Sequence, residues 1–158
     1  MRKTLGTVAA MALVAAGLSL PATSATAASA LQFSKIQYDS PGSDTGSNTS
    51  LNGEYVTIKN VSTTTKTLTG YTVKDRTGYT YTFGTFRLSA GRSVIVKTGT
   101  GTNTSTTRYW GRNWYVWNNT SSSGTTDTAT LRTATGTVLD TCSWTDRSRT
   151  DSVQSKAC

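Results

Sequence analysis

The chain has 158 residues, with sixteen Lys and Arg against eight Asp and Glu, and it contains no histidine. The absence of histidine excludes a Ser-His-Asp triad, a His-ligated zinc site and a nuclease site that uses imidazole as its base. The net charge of +8 favours anionic partners, although basic residues scattered along a chain also serve solubility.

Residues 1–30 have the features of a signal peptide. Two basic residues precede an apolar run at 8–20 that is too short to span a membrane, and the small residues at 28–30 offer a cleavage site. Residues 25–27 offer an alternative cleavage site. We therefore expect export and free release of one domain, residues 31–158, whose net charge without those two basic residues is +6.

The remaining sequence predicts an all-β domain. The 34 Thr and 19 Ser of the whole chain disfavour helices, because β-branched and hydroxyl side chains are better suited to strands and turns. Short alternating runs separated by turn residues are typical of a sandwich or barrel. We expect about eight strands, among them residues 31–38, 54–60, 68–75, 79–83, 94–96, 128–131 and 137–144.

Several details of these strands can be predicted. In the first, strict alternation places Leu31, Phe33 and Lys35 on one face and Ile36 and Tyr38 on the other. The run at 94–96 is the most apolar after the signal and is expected to be central.

The connecting segments carry turn signals. Residues 40–50 are rich in Ser, Gly, Asn and Asp, which predicts an exposed loop. Residues 75–78 and 133–136 are expected to turn hairpins. The tail after Trp144 shows no pattern.

The two cysteines, Cys142 and Cys158, are expected to form a disulfide. An even cysteine count in an exported chain favours this interpretation over a reactive thiol. The bond would attach the C-terminal tail to the last strand, and in the chain-entropy model a loop of about 15 residues contributes roughly 3 kcal/mol.

Motifs along most of residues 31–144 resemble the lamin tail domain. The resemblance is carried by EYVTIKN at 54–60, LTGYTVKD at 68–75, YTF at 81–83, LSAG at 88–91, TGTGTN at 98–103, YWG at 109–111, VWNN at 116–119 and DTATL at 127–131. Members of bacterial secreted type share the later motifs. This chain departs from the usual pattern at Thr126, where many members have Gly, and in its two-cysteine tail.

The resemblance implies an immunoglobulin-like β-sandwich and a binding or tethering role without catalysis. In nuclear lamins the domain contacts proteins and DNA, and bacterial copies occur alone or beside secreted hydrolases. Fold analogy of this kind does not identify a ligand.

One candidate metal site is the set Asp39, Asp44, Asn52 and Glu54, whose oxygens flank the entry to a strand as calcium ligands do. The spacing is not that of an EF-hand. The alternative, which we favour, has the two aspartates capping turns and Glu54 pairing with a nearby cation. We therefore expect no cofactor, with calcium as the alternative.

The aromatic segment at 108–117 supplies the candidate ligand-binding residues. Indole rings stack on sugars or bases, and guanidinium groups pair with phosphates or carboxylates. Trp110 and Trp117 are expected in the core, whereas the exposure of the aromatic pair between them is open. The candidate binding residues are Arg108, Arg112, Trp114 and Tyr115.

Two functions are compatible with these features. The first is a secreted, non-enzymatic binding module for a glycan, a cell-wall polymer or another extracellular polyanion such as nucleic acid. The alternative is a structural or adhesion protein that binds other proteins, or itself, through sandwich edges or loops. The oligomeric state does not follow from the sequence.

Overall fold

The computed structural model describes residues 28–119, 126–145 and 154–158. Within these ranges the chain forms one short helix and eleven strands. They are β1 (Leu31–Gln37), α1 (Asn48–Leu51), β2 (Tyr55–Asn60), β3 (Lys66–Thr67), β4 (Thr72–Lys74), β5 (Thr80–Thr82), β6 (Arg87–Leu88), β7 (Ser93–Lys97), β8 (Thr107–Tyr109), β9 (Thr126–Arg132), β10 (Val138–Thr145) and β11 (Ser155–Ala157).

The strands form two main sheets. One sheet has the order β11-β1-β2-β7-β8, the other has the order β10-β9-β4-β5, and β3 and β6 make a separate ladder. The pairs are antiparallel except that β7 and β8 run parallel. The architecture confirms the predicted immunoglobulin-like β-sandwich.

The core lies between the two sheets and follows the period of two in the sequence. In β2, Val56 and Ile58 are fully buried, whereas Lys59 points to solvent. Full burial of such a side chain contributes about 1.5–3 kcal/mol. Val94 and Val96 of β7 are buried in the same way, and β7 is paired on both sides, as predicted for the most apolar strand.

The face assignment predicted for β1 is wrong because the strand contains a β-bulge. The register with β2 shifts between Phe33 and Lys35, so Phe33 and Ile36 are both buried in the core. A bulge adds one residue and reverses the alternation beyond it. The backbone N–H of Phe33 donates to the carboxylate of Asp140 at 2.7 Å, which joins β1 to β10 of the other sheet.

The predicted loop at 40–50 is mostly exposed, but it includes the start of α1. Ser47 caps this helical turn by accepting a hydrogen bond from the Ser50 N–H, and Leu51 anchors the turn in the interior. No helix within the described ranges is long and apolar enough to cross a membrane.

The predicted disulfide between Cys142 and Cys158 is confirmed, with the two Cα atoms 5.8 Å apart. It does more than attach a tail, because the tail ends in β11, a strand that the sequence pattern did not predict. β11 is the edge of the five-stranded sheet and β10 is the edge of the four-stranded sheet. The disulfide therefore links the two sheets along one side of the sandwich.

Candidate functional site

A cleft of about 480 Å³ opens at one end of the sandwich. Three chain segments form its walls: the loop before α1, the β4–β5 hairpin and the segment that follows β8. The lining residues are Asp44, Thr77, Tyr79, Trp114, Tyr115, Val116, Trp117, Asn118 and Asn119. Trp114 is 65% exposed and Tyr79 is 42% exposed, so both rings present apolar surface to solvent at the cleft.

A buried carboxyl group fixes the backbone of the segment after β8. Glu54 precedes β2, is fully buried, and accepts hydrogen bonds from the N–H groups of Val116 and Trp117, each at 3.0 Å. The Thr98 hydroxyl donates to the same carboxyl group at 2.8 Å. Three donors on one immobile acceptor hold the aromatic wall of the cleft against the five-stranded sheet.

A second buried carboxylate, Asp127 at the start of β9, ties the same segment to the hairpin. It accepts from the Asn118 N–H at 2.9 Å and from the Arg76 N–H at 3.3 Å. The Trp144 indole N–H donates to the Asn118 carbonyl at 3.1 Å. Asp127 therefore positions both the segment after β8 and the β4–β5 hairpin.

The loop before α1 is held against the aromatic wall by side-chain hydrogen bonds. The Tyr115 hydroxyl lies 2.6 Å from the Ser50 hydroxyl and accepts from the Gly46 N–H at 3.2 Å. The Asn119 amide donates to both Asp39 and Asp44, at 2.9 and 3.0 Å. These contacts bring together residues that are about 70 positions apart in the sequence.

The two predicted binding arginines belong to a side-chain ladder between the sheet edges β5 and β8. The Arg112 guanidinium lies 4.2 Å from the centre of the Tyr79 ring, and that of Arg108 lies 4.2 Å from the centre of the Phe86 ring. Between them, the rings of Trp110 and Tyr81 are 5.9 Å apart. Cation–π contacts of this kind are favourable, so the ladder helps to close the side of the sandwich opposite the disulfide.

The structure places two of the four predicted ligand-binding residues in the lining of the cleft. Trp114 and Tyr115 line the cleft, Arg112 contacts it only through Tyr79, and Arg108 is not among the lining residues. Of the two tryptophans expected in the core, Trp117 is buried and Trp110 is half-buried against the core.

The four predicted metal ligands do not form a metal-binding group in the described residues. Both Glu54 oxygens accept hydrogen bonds from the protein, and the expected pairing of Glu54 with a cation is replaced by backbone and hydroxyl donors. Asp39 and Asp44 converge on the Asn119 amide. Asn52 instead donates to the Thr100 carbonyl at 2.9 Å, beside Gly99, where a Cβ atom would collide with Asn52.

Comparison with known families identifies the fold. The model of the lamin tail domain matches residues 24–146. The chain belongs to the lamin tail domain family. A search of curated proteins found no matching relative. The family determines the fold of this lamin tail domain and does not identify a ligand.

Sequence reasoning missed several residues of the cleft in this lamin tail domain. Tyr79 and Asn119 lie in turns and loops, where no periodicity predicts which segments meet. Asp44 was named, but as a candidate metal ligand and not as part of a cleft. One signal was present for the ladder, since Arg108, Trp110 and Arg112 are spaced two apart, which predicts a shared face if the segment is extended. In the structure β8 ends at Tyr109.

The buried carboxylates predict a pH-dependent stability. Burial raises the pKa of Glu54 from 4.5 to about 8, against the opposing hydrogen bonds from Val116, Thr98 and Trp117. Burial also raises the pKa of Asp127. Across pH 4.5–8 the native state keeps a proton on Glu54 that the unfolded chain has released, so stability falls as the pH rises.

We expect the free energy of unfolding to be lower at about pH 8.5 than at about pH 5.5 by more than about 1 kcal/mol, because a shift of one pKa unit already corresponds to roughly that free energy. Urea unfolding at a series of pH values measures this change. Glu54→Gln cannot ionise at this position, so its free energy of unfolding should depend less on pH. The pH dependence that remains in this variant should come from Asp127. An unchanged pH dependence in that variant would contradict the assignment to Glu54.

Proposed function

We propose that this domain is a secreted, non-catalytic module of bacterial type that binds a glycan in the cleft. The observation that carries the proposal is Trp114, a largely exposed indole on the wall of a concave site that also contains the rings of Tyr79 and Tyr115. A flat ring that remains in water has no role in the core. It is suited to stack on the apolar face of a pyranose ring.

The polar groups of the cleft favour a neutral sugar over a polyanion. Its lining residues include the carboxylate of Asp44 and the amides of Asn118 and Asn119, and none of the described lining residues is Lys or Arg. Carboxylate and amide groups exchange hydrogen bonds with sugar hydroxyls, whereas Asp44 would repel a phosphate group. We therefore assign a polymer of β-linked pyranoses, which present flat faces, to this cleft.

Two further features support the role outside the cell. The disulfide fits an oxidising compartment, and the N-terminal 30 residues have the pattern of a signal peptide, although residues 1–27 lie outside the described ranges. Asp44 is the single carboxylate among the described lining residues, and it accepts a hydrogen bond from Asn119. Glycoside hydrolysis ordinarily needs a pair of carboxylates across the bond, so binding is the simpler role.

We expect Trp114→Ala to weaken binding to polysaccharide at least tenfold, because interface aromatics of this kind often contribute more than about 1.4 kcal/mol. Sedimentation with cellulose, chitin and purified peptidoglycan, which all contain chains of β-linked pyranoses, identifies the polymer that is bound. Titration with its soluble oligosaccharide, followed by tryptophan fluorescence, then gives the affinity of each variant.

Stability provides the control for this experiment. Since Trp114 is exposed, its replacement should change the free energy of unfolding by less than about 0.5 kcal/mol. The variants Val61→Ala and Val138→Ala, which remove exposed apolar side chains outside the cleft lining, should bind as the parent does. Retention on none of the three polymers, or equal binding by Trp114→Ala, would refute the proposal.

A further inference from the structure

A second pocket, of about 270 Å³, lies beyond the other end of β8 and shares no lining residue with the cleft. It is formed by the turn between β6 and β7 and by the loop that precedes β8. Two arginines, Arg87 and Arg92, line it together with the hydroxyl-bearing residues Ser89, Ser93, Ser105 and Thr106. We refer to these six residues as the arginine pocket.

The backbone of the arginine pocket is held by hydrogen bonds. β7 and β8 run parallel, so both strands begin at the same end of the sheet, where the Ile95 N–H donates to the Thr106 carbonyl at 2.9 Å. The buried Asn60 side chain donates to the Leu88 carbonyl at 2.9 Å, and its backbone N–H donates to the Arg92 carbonyl at 2.9 Å. The pocket is therefore preformed.

The charge of the arginine pocket is uncompensated in the described part of the chain. Neither Arg87 nor Arg92 has a side-chain hydrogen bond or an ion pair there, and both are exposed. Lys59 is exposed on the neighbouring strand, in register with Ser93, and adds to the positive potential. The carboxylate of Asp140 accepts a hydrogen bond from the Phe33 N–H on β1 and is not among the described residues that line the pocket.

We propose that the arginine pocket binds the phosphodiester group of a polyol phosphate polymer. Two guanidinium groups with several hydroxyl donors match the oxygens of a phosphate group, for which arginine provides charge-assisted hydrogen bonds. None of the described residues that line the pocket is aromatic. Single-stranded nucleic acid is ordinarily held by stacking of its bases on aromatic rings, so a polymer without bases fits the pocket better.

This site is independent of the glycan cleft. The two lie at opposite ends of the segment that contains β8, and their chemistry is opposite, since one contains a carboxylate and the other contains two arginines. A domain with both sites would bind a wall that presents sugar chains and phosphate chains together, and two weak contacts would reinforce each other.

The test uses the purified protein with two probes, inorganic phosphate and poly(glycerol phosphate). In a ¹⁵N-labelled sample, phosphate should shift the amide signals of Ser89, Ser93, Ser105 and Thr106. The double variant Arg87→Gln/Arg92→Gln should bind poly(glycerol phosphate) at least tenfold more weakly. The double variant Lys74→Gln/Lys156→Gln removes the same charge from exposed positions outside the pocket and should stay within about threefold of the parent.

The possible outcomes separate the alternatives. Equal losses in both double variants would overturn the proposal, because attraction to overall charge would then explain the binding. Amide shifts outside the pocket would also overturn it. Equal affinity for single-stranded DNA would refute the choice of polymer. The glycan proposal is unaffected by any of these results, since Trp114→Ala tests it separately.

Discussion

Replacing Glu54 by Leu is expected to lower the free energy of unfolding by about 3–5 kcal/mol, the largest effect of any substitution considered. The change leaves the N–H groups of Val116 and Trp117 and the hydroxyl of Thr98 without their acceptor in the interior. Each buried donor without a partner costs about 1–3 kcal/mol. Removing a desolvated carboxyl offsets only part of that loss.

Urea unfolding at about pH 6 measures this change, and Glu54→Gln is the matched control because it keeps one acceptor oxygen in a similar shape. We expect Glu54→Gln to lose less than half as much stability as Glu54→Leu. If Glu54→Leu were as stable as the parent, the carboxyl would not be the anchor of the segment after β8.

The same substitution should also disturb the cleft, although Glu54 does not line it. Val116 and Trp117 follow Trp114 and Tyr115 directly, so their backbone sets the position of the stacking ring. Conditions that keep Glu54→Leu folded should therefore still show weakened glycan binding. Glycan binding equal to that of the parent would show that Glu54 does not control the position of Trp114 in the cleft.

The sheets were largely predictable from the sequence because their signals are local. The alternation in β2 and the apolar run in β7 predict which of their side chains are buried. The hairpins have turn residues between their strands. The bulge in β1 was not predictable, because the hydrogen bond that accompanies it joins Phe33 to Asp140, which is far away in the sequence. β11 has only three residues, and its pairing with β1 depends on long-range contacts that no local pattern encodes.

The candidate sites were harder to predict for the same reason. Trp114 and Tyr115 were named from composition alone, but their partners Asp44 and Tyr79 come from loops whose meeting depends on the finished fold. Glu54 illustrates a different limit. The sequence favoured a structural role for it but assigned it the wrong partner, a nearby cation, because only the fold shows that it is buried beside two backbone N–H groups.

Removal of the disulfide, in the variant Cys142→Ala/Cys158→Ala, is expected to lower the free energy of unfolding by about 3 kcal/mol. The bond closes a segment with a sequence separation of 16, and its loss enlarges the ensemble of the unfolded chain. The effect should be uneven across the molecule, because β11 pairs with β1 through only three residues, whereas β10 pairs with β9 through seven.

Hydrogen exchange distinguishes this local effect from general destabilisation. In the variant, the amides of β11 and the residues of β1 that face it, Lys35 to Gln37, should lose protection before those of β2 and β7. Trypsin should then cut after Lys156 under conditions in which the parent is resistant. Uniform loss of protection in both sheets would show instead that the bond stabilises the whole sandwich, and not chiefly the edge that β11 and β10 form together.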